Sequence, residues 1–160
     1  MMELTKSKFK IPGFLKADPR LIGTWKSDKR RTFAEWCWKK NTSPRRKEAL
    51  RSFFGKHEII FTRSRLVSRL PHRKWEAAQR YCVLATDETT VAILQFGGLE
   101  IRNRHQYDEL DLAMAKECMP QAQIMHMHFD KEHFWISIGN GRCREFYRKI
   151  RRRSSLRIAP

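Results

Sequence analysis

The 160-residue sequence predicts a mainly-β fold: a single antiparallel up-and-down β-barrel of about eight strands, with one or two inserted helices. Three observations carry this prediction. One stretch before residue 55 and seven after it are rich in β-branched and aromatic residues at strand length. The segments between them have turn chemistry, as in Thr86-Asp87-Glu88, Asp130-Lys131-Glu132 and Gly139-Asn140-Gly141. Sequential hairpins leave two sheet edges exposed unless the sheet closes on itself, and closure removes both.

The elements follow in order. Residues 1–20 read as an irregular N-terminal arm, broken by Pro12-Gly13 and Asp18-Pro19. Leu21 to Ser27 is the first strand. Between Arg30 and Lys40 the aromatics Phe33, Trp36 and Trp38 fit either period, so both assignments stand. Thr42 or Ser43 caps a helix over 44–54, with Pro44 at its first position and Gly55 just past its end. Strands are expected at 57–62, 65–70, 75–86, 89–96, 123–129, 133–138 and 143–150. A second, acidic helix is expected near 106–117, where Leu110, Ala113 and Met114 recur at helical spacing. The barrel domain is thus 21–150, followed by a basic tail, 151–160.

Composition narrows the function classes. Hydrophobic residues make up 41% and aromatics 11%, too much apolar material for a disordered chain. No run approaches the ~18 apolar residues that a spanning helix needs. The N-terminus lacks an apolar secretory core, and Cys37, Cys82, Cys118 and Cys143 form no Cys-x-x-Cys pair. Free thiols in a reducing, cytoplasmic setting are therefore expected. Gly97-Gly98 lacks phosphate-loop spacing, no nucleophile elbow is present, and no cofactor is expected.

Gly23-Thr24-Trp25, a Gly-x-Trp on the first strand after an irregular arm, together with a basic residue on the last strand, resembles the lipocalin-like (calycin) β-barrels. Among these the chain is most similar to the small uncharacterised intracellular members. The resemblance implies that Trp25 plugs one end of the barrel. It also implies that a last-strand arginine, Arg148 or Arg144, packs across the indole through a cation–π contact.

If Lys131-Glu132 and Asn140-Gly141 form turns, the last three strands have two distinct faces. One carries Met125, Met127, Phe129, Phe134, Ile136, Ile138, Cys143, Glu145 and Tyr147. The other carries His126, His128, Asp130, His133, Trp135, Ser137, Arg144, Phe146 and Arg148. The apolar face is the usual lumen. The mixed face, offering stacking and hydrogen bonds, is the alternative lumen for a bound ligand.

Candidate ligand-binding residues are Trp25, Trp135, Arg144, Arg148 and Tyr147. His126 and His128, at period two, are candidate metal ligands, with Asp130 and His133 nearby. Glu145, beside Tyr147 on the apolar face, is a candidate buried acid with a raised pKa. The formal net charge is +17, and Arg45, Arg46, Lys47, Arg151, Arg152 and Arg153 are the candidate polyanion-binding groups. The expected function is non-enzymatic binding of a small amphipathic or anionic ligand in the barrel lumen. Nucleic-acid or other polyanion binding is the alternative, and an enzyme site near His126, His128 and Glu145 is the second.

Overall fold

The computed structural model describes residues 17–73, 75–102, 109, 112, 122–138 and 141–150. Eight antiparallel strands close into a barrel in sequence order: β1 (Gly23–Ser27), β2 (Glu58–Phe61), β3 (Arg65–Leu70), β4 (Trp75–Thr86), β5 (Thr90–Ile101), β6 (Ala122–Asp130), β7 (His133–Ile138) and β8 (Cys143–Ile150). Closure is made by β1 on β8, with Trp25 opposite Lys149 and Ser27 opposite Tyr147. No sheet edge is left unpaired among these strands. β5 runs five residues further than expected, to Ile101, pairing with the start of β4 past a register shift near Arg80.

Two of the three expected turns act as their chemistry predicts, while residues 139 and 140 of the third lie outside the described residues. Asp87 Oδ1 accepts from the backbone N–H groups of Thr89 and Thr90, at 2.8 and 2.7 Å, and so folds the β4–β5 turn. Lys131 and Glu132 form the two-residue β6–β7 connection, with Asp130 opposite His133 and Lys131 at φ 54°. In the β7–β8 register Ile138, Ile136 and Phe134 face Cys143, Glu145 and Tyr147.

Two α-helices lie in the β1–β2 connection. The ambiguous segment is helical over α1 (Lys29–Ala34), capped by Asp28, whose side chain accepts from Arg31 N–H. α1 packs on the outside of β8: Thr32 Oγ1 accepts from Phe146 N–H at 3.1 Å, and the Arg31 guanidinium lies 4.5 Å from the centre of the Phe146 ring. α2 (Pro44–Phe53) starts at Ser43, whose side chain caps Arg46 N–H, with Pro44 in its first turn. At Gly55 (φ 86°) a Cβ would stand 2.9 Å from Lys29 Cβ, so only glycine lets the two segments approach. The expected helix over 106–117 lies outside the described residues apart from Glu109 and Leu112, both helical. The arm up to residue 16 and the tail from 151 also lie outside them. No helix among the described residues is long and apolar enough to cross a membrane.

Alternate residues of every strand fill the interior. Trp25, Ile59, Phe61, Leu66, Tyr81, Val83, Val91, Ile93, Met127 and Phe134 are all buried in one cluster. The apolar face of the last three strands therefore lines the barrel, and the mixed face looks outward.

Candidate functional site

The two ends of the barrel differ in chemistry. At the end where β1 begins, Trp25 is 3% exposed and its indole N–H donates to the Leu21 carbonyl at 2.7 Å. The Phe134 ring meets it edge-on, with centroids 4.7 Å apart. Arg20 lies over Phe129 at 5.0 Å, donates to the Glu88 carbonyl at 2.8 Å and to Thr86 Oγ1, and pairs with Asp18. Hydrogen bonds from Arg20 hold the Asp18 carboxyl down at about 2. This end is plugged.

The cation on Trp25 is Lys149, whose Nζ lies 5.2 Å from the ring centre. The expected partners Arg148 and Arg144 are both exposed on the outer wall, and strand parity explains the difference. Glu145 and Tyr147 point inward, so Lys149 does too, while Arg144 and Arg148 cannot. Arg144 instead covers Trp135 at 4.2 Å, and the His128 ring stacks on the same indole at 4.0 Å. The expected ligand set is thus divided by the barrel wall: Trp25 and Tyr147 inside, Trp135, Arg144 and Arg148 outside.

Toward the other end the interior turns polar. His57 Nε2 lies 2.6 Å from Ser68 Oγ, and His57 Nδ1 lies 2.8 Å from the Tyr147 hydroxyl. Tyr147 in turn hydrogen-bonds Glu145. Ser27 Oγ donates to Glu145 Oε1 at 2.8 Å and accepts from Gly55 N–H at 3.1 Å. The imidazole is enclosed between Phe53, stacked at 5.3 Å, and the edge of Tyr147. Burial pushes His57 down to about 4, Glu145 up to about 7, and Tyr147 well above the usual phenol range.

The charge of Glu145 sets the direction of this chain. When ionised, the carboxylate only accepts, from Ser27 and Tyr147. The Tyr147 oxygen then takes the Nδ1–H of His57, and Nε2 takes the Ser68 hydroxyl proton. When protonated, Glu145 donates to Tyr147, Tyr147 donates to Nδ1, and Nε2–H donates to Ser68. Each heavy-atom contact along this chain is kept while its proton reverses direction.

Above this polar layer the inward side chains of Trp75, Met125, Ile136 and Ile138 are half-buried, so the barrel is more open here than at the Trp25 end. Gln95 is 1% exposed; its Nε2 reaches only Met125 Sδ at 3.9 Å, and its Oε1 has no hydrogen-bond partner among the described residues.

The remaining candidates lie apart. His126 is exposed on the outer wall, away from Glu145, and among the described residues no three metal-ligating groups gather. Arg45 and Arg46 are exposed on α2, while Lys47 lies 5.7 Å from the centre of the Trp38 ring. Arg151, Arg152 and Arg153 lie outside the described residues. The expected enzyme centre at His126, His128 and Glu145 is not brought together, because the first two face outward and the third inward. His57, Ser68, Ser27 and Lys149 are the site residues that the sequence reading missed. Parity was the available signal: His57 shares a face with Ile59 and Phe61, and Lys149 with Tyr147.

Fold and site together define a closed eight-stranded antiparallel barrel with one plugged end and one polar interior layer. Comparison with protein-family models, with curated proteins and with solved structures finds no match.

Proposed function

We propose that this chain is a non-enzymatic, lipocalin-like binding protein that takes a small amphipathic ligand through the end of the barrel opposite Trp25. One observation carries the reading: half-buried apolar walls stand over a polar layer at one end, while aromatics fill the other. The barrel order and the position of Trp25 support the family likeness. Cys37, Cys82 and Cys143 are free thiols, which fits a cytoplasmic setting.

The chemistry of the layer favours one kind of ligand. Among the described inward positions near it there is no lysine or arginine; Glu145 lies in the layer, and beside Met125 in the wall above it the Gln95 oxygen has no partner among the described residues. A buried acceptor without a donor costs about 1–3 kcal/mol, and a ligand that donates there recovers it. The reading is therefore an amphiphile ending in an amine or alcohol, rather than a carboxylate or phosphate.

Catalysis fits less well. Ser68 and His57 have the spacing of a nucleophile and its base, but a general base works best with a pKa near the operating pH, and burial holds His57 at about 4.

The test uses the neutral fluorescent amine N-phenyl-1-naphthylamine, alongside native mass spectrometry of the purified protein. The probe should bind, be displaced by a long-chain alkylamine better than by the fatty acid of equal length, and be lost in Ile138→Trp. A clean native spectrum with no probe binding, or binding that Ile138→Trp leaves unchanged, overturns the proposal.

A further inference from the structure

A second concavity opens on the barrel wall at the plugged end, opposite the mouth proposed for the ligand. It is an open groove of about 1320 Å³ along β1 and β8 and around the plugged end. Seven of its lining residues are lysine or arginine, against three carboxylates. Lys26 and Arg148 face each other across the β1–β8 pair, both exposed. Lys29 and Arg30 extend the row from the start of α1, and Lys131 and Lys149 flank it at the barrel end.

Of the carboxylates, Asp28 has close partners of its own. Asp28 is held by His133 Nε2 at 3.1 Å, and Arg31 N–H donates to it. Lys26, Lys29, Arg30 and Arg148 form no ion pair among the described residues. Like charges this close raise the free energy of the unliganded protein, and a polyanion that releases its counterions on binding lowers it.

We propose that this groove binds the phosphate backbone of a single-stranded nucleic acid without reading its bases. Three features select this occupant. The surface is concave, which suits a strand laid along it and not a flat membrane. Its cations sit on long, exposed side chains spread along the groove, so they meet successive phosphates rather than a single anion. The aromatic rings at its edge, Trp25 and Phe129, are covered by Lys149 and Arg20, so no stacking platform is offered to bases.

The test is fluorescence anisotropy of a labelled oligothymidylate titrated with the protein at several salt concentrations. Five phosphate contacts, from Lys26, Lys29, Arg30, Lys131 and Arg148, give a log–log salt slope of about −3.5, at about 0.7 per contact for a single strand. Lys26→Ala with Arg148→Ala should flatten it by about 1.4. Arg45→Ala with Arg46→Ala on α2 should leave it unchanged, as should replacing the oligothymidylate with a mixed sequence. Four results overturn the proposal: a flat salt response, a slope indifferent to the groove substitutions, a slope reduced by the α2 pair instead, or groove-dependent binding to phosphatidylserine vesicles in place of the oligonucleotide. Probe binding in the lumen is read separately, so either proposal can fail alone.

Discussion

The two ends of the barrel interior solve the same packing problem in different ways. Around Trp25 the inward positions carry large apolar rings, and the single polar atom of the indole finds the Leu21 carbonyl. Around Glu145 the inward positions carry hydroxyls, an imidazole and a carboxyl, all buried or enclosed and linked into one chain. Apolar packing gains from every atom added, whereas a buried polar layer is favourable only when its partners are complete. The plugged end is built for stability. The polar end spends some of it to keep hydrogen-bonding groups facing the lumen.

The largest effect should come from the plugged end. Trp25→Ala removes a buried indole and its hydrogen bond and should cost about 3–5 kcal/mol in urea unfolding. Lys149→Ala should cost under ~1 kcal/mol, because an exposed cation–π contact is weak. If Trp25→Ala leaves the unfolding midpoint unchanged, the plug is not what holds this end.

The polar end should respond to pH rather than to volume. Glu145 is raised from 4.5 to about 7, so its contribution is present below 4.5 and is lost as pH rises through about 7. His57 is lowered from 6.5 to about 4, so its contribution is present above 6.5 and is lost as pH falls through about 4. Between 4.5 and 6.5 the two proton balances cancel in the native protein. Glu145→Gln should therefore lose stability as pH falls across this window, and His57→Gln should lose it as pH rises, each by up to ~1.4 kcal/mol per pH unit. Urea midpoints measured from pH 4.5 to 6.5 decide the matter; parallel slopes in the two variants would sink the linked-chain picture.

A finer test reads the chain directly. The ¹⁵N shifts of His57 should report the Nε2–H tautomer while Glu145 is protonated and the Nδ1–H tautomer once it ionises, with no gain of charge on the ring. An imidazolium signal near neutrality contradicts this. The smallest effect belongs to the outer wall: Arg144→Ala uncovers one face of Trp135 and should cost about 0.5–1 kcal/mol, leaving probe binding in the lumen untouched.

Much of this contrast was legible in the sequence. The faces of β6, β7 and β8 follow from period-two alternation and two turns, and Glu145 was visible as an acid on an apolar face beside Tyr147. Its partners were not. Trp135, Arg144 and Arg148 are the stacking and charged residues that catch the eye, yet parity sends all three outward. The polyanion reading rested on runs of adjacent cations. The groove row is instead assembled from β1, the start of α1, the β6–β7 turn and β8: the basic runs at Lys29-Arg30 and Arg148-Lys149 each supply part of it, and no single run marks the whole.

Sequence alone determined a count of about eight strands, the turns, the start and end of α2 and the alternation along each strand, because these depend on residues within a few positions of one another. Only the tertiary structure decided which side chains meet inside the barrel. Ser27 and Glu145 are 118 residues apart, and His57 and Tyr147 are 90 apart. Their contacts depend on the register with which β1 closes onto β8 and on the path of the β1–β2 connection. Period-two alternation assigns a side chain to a face of the sheet. Closure of the barrel decides which other side chains that face will bring against it.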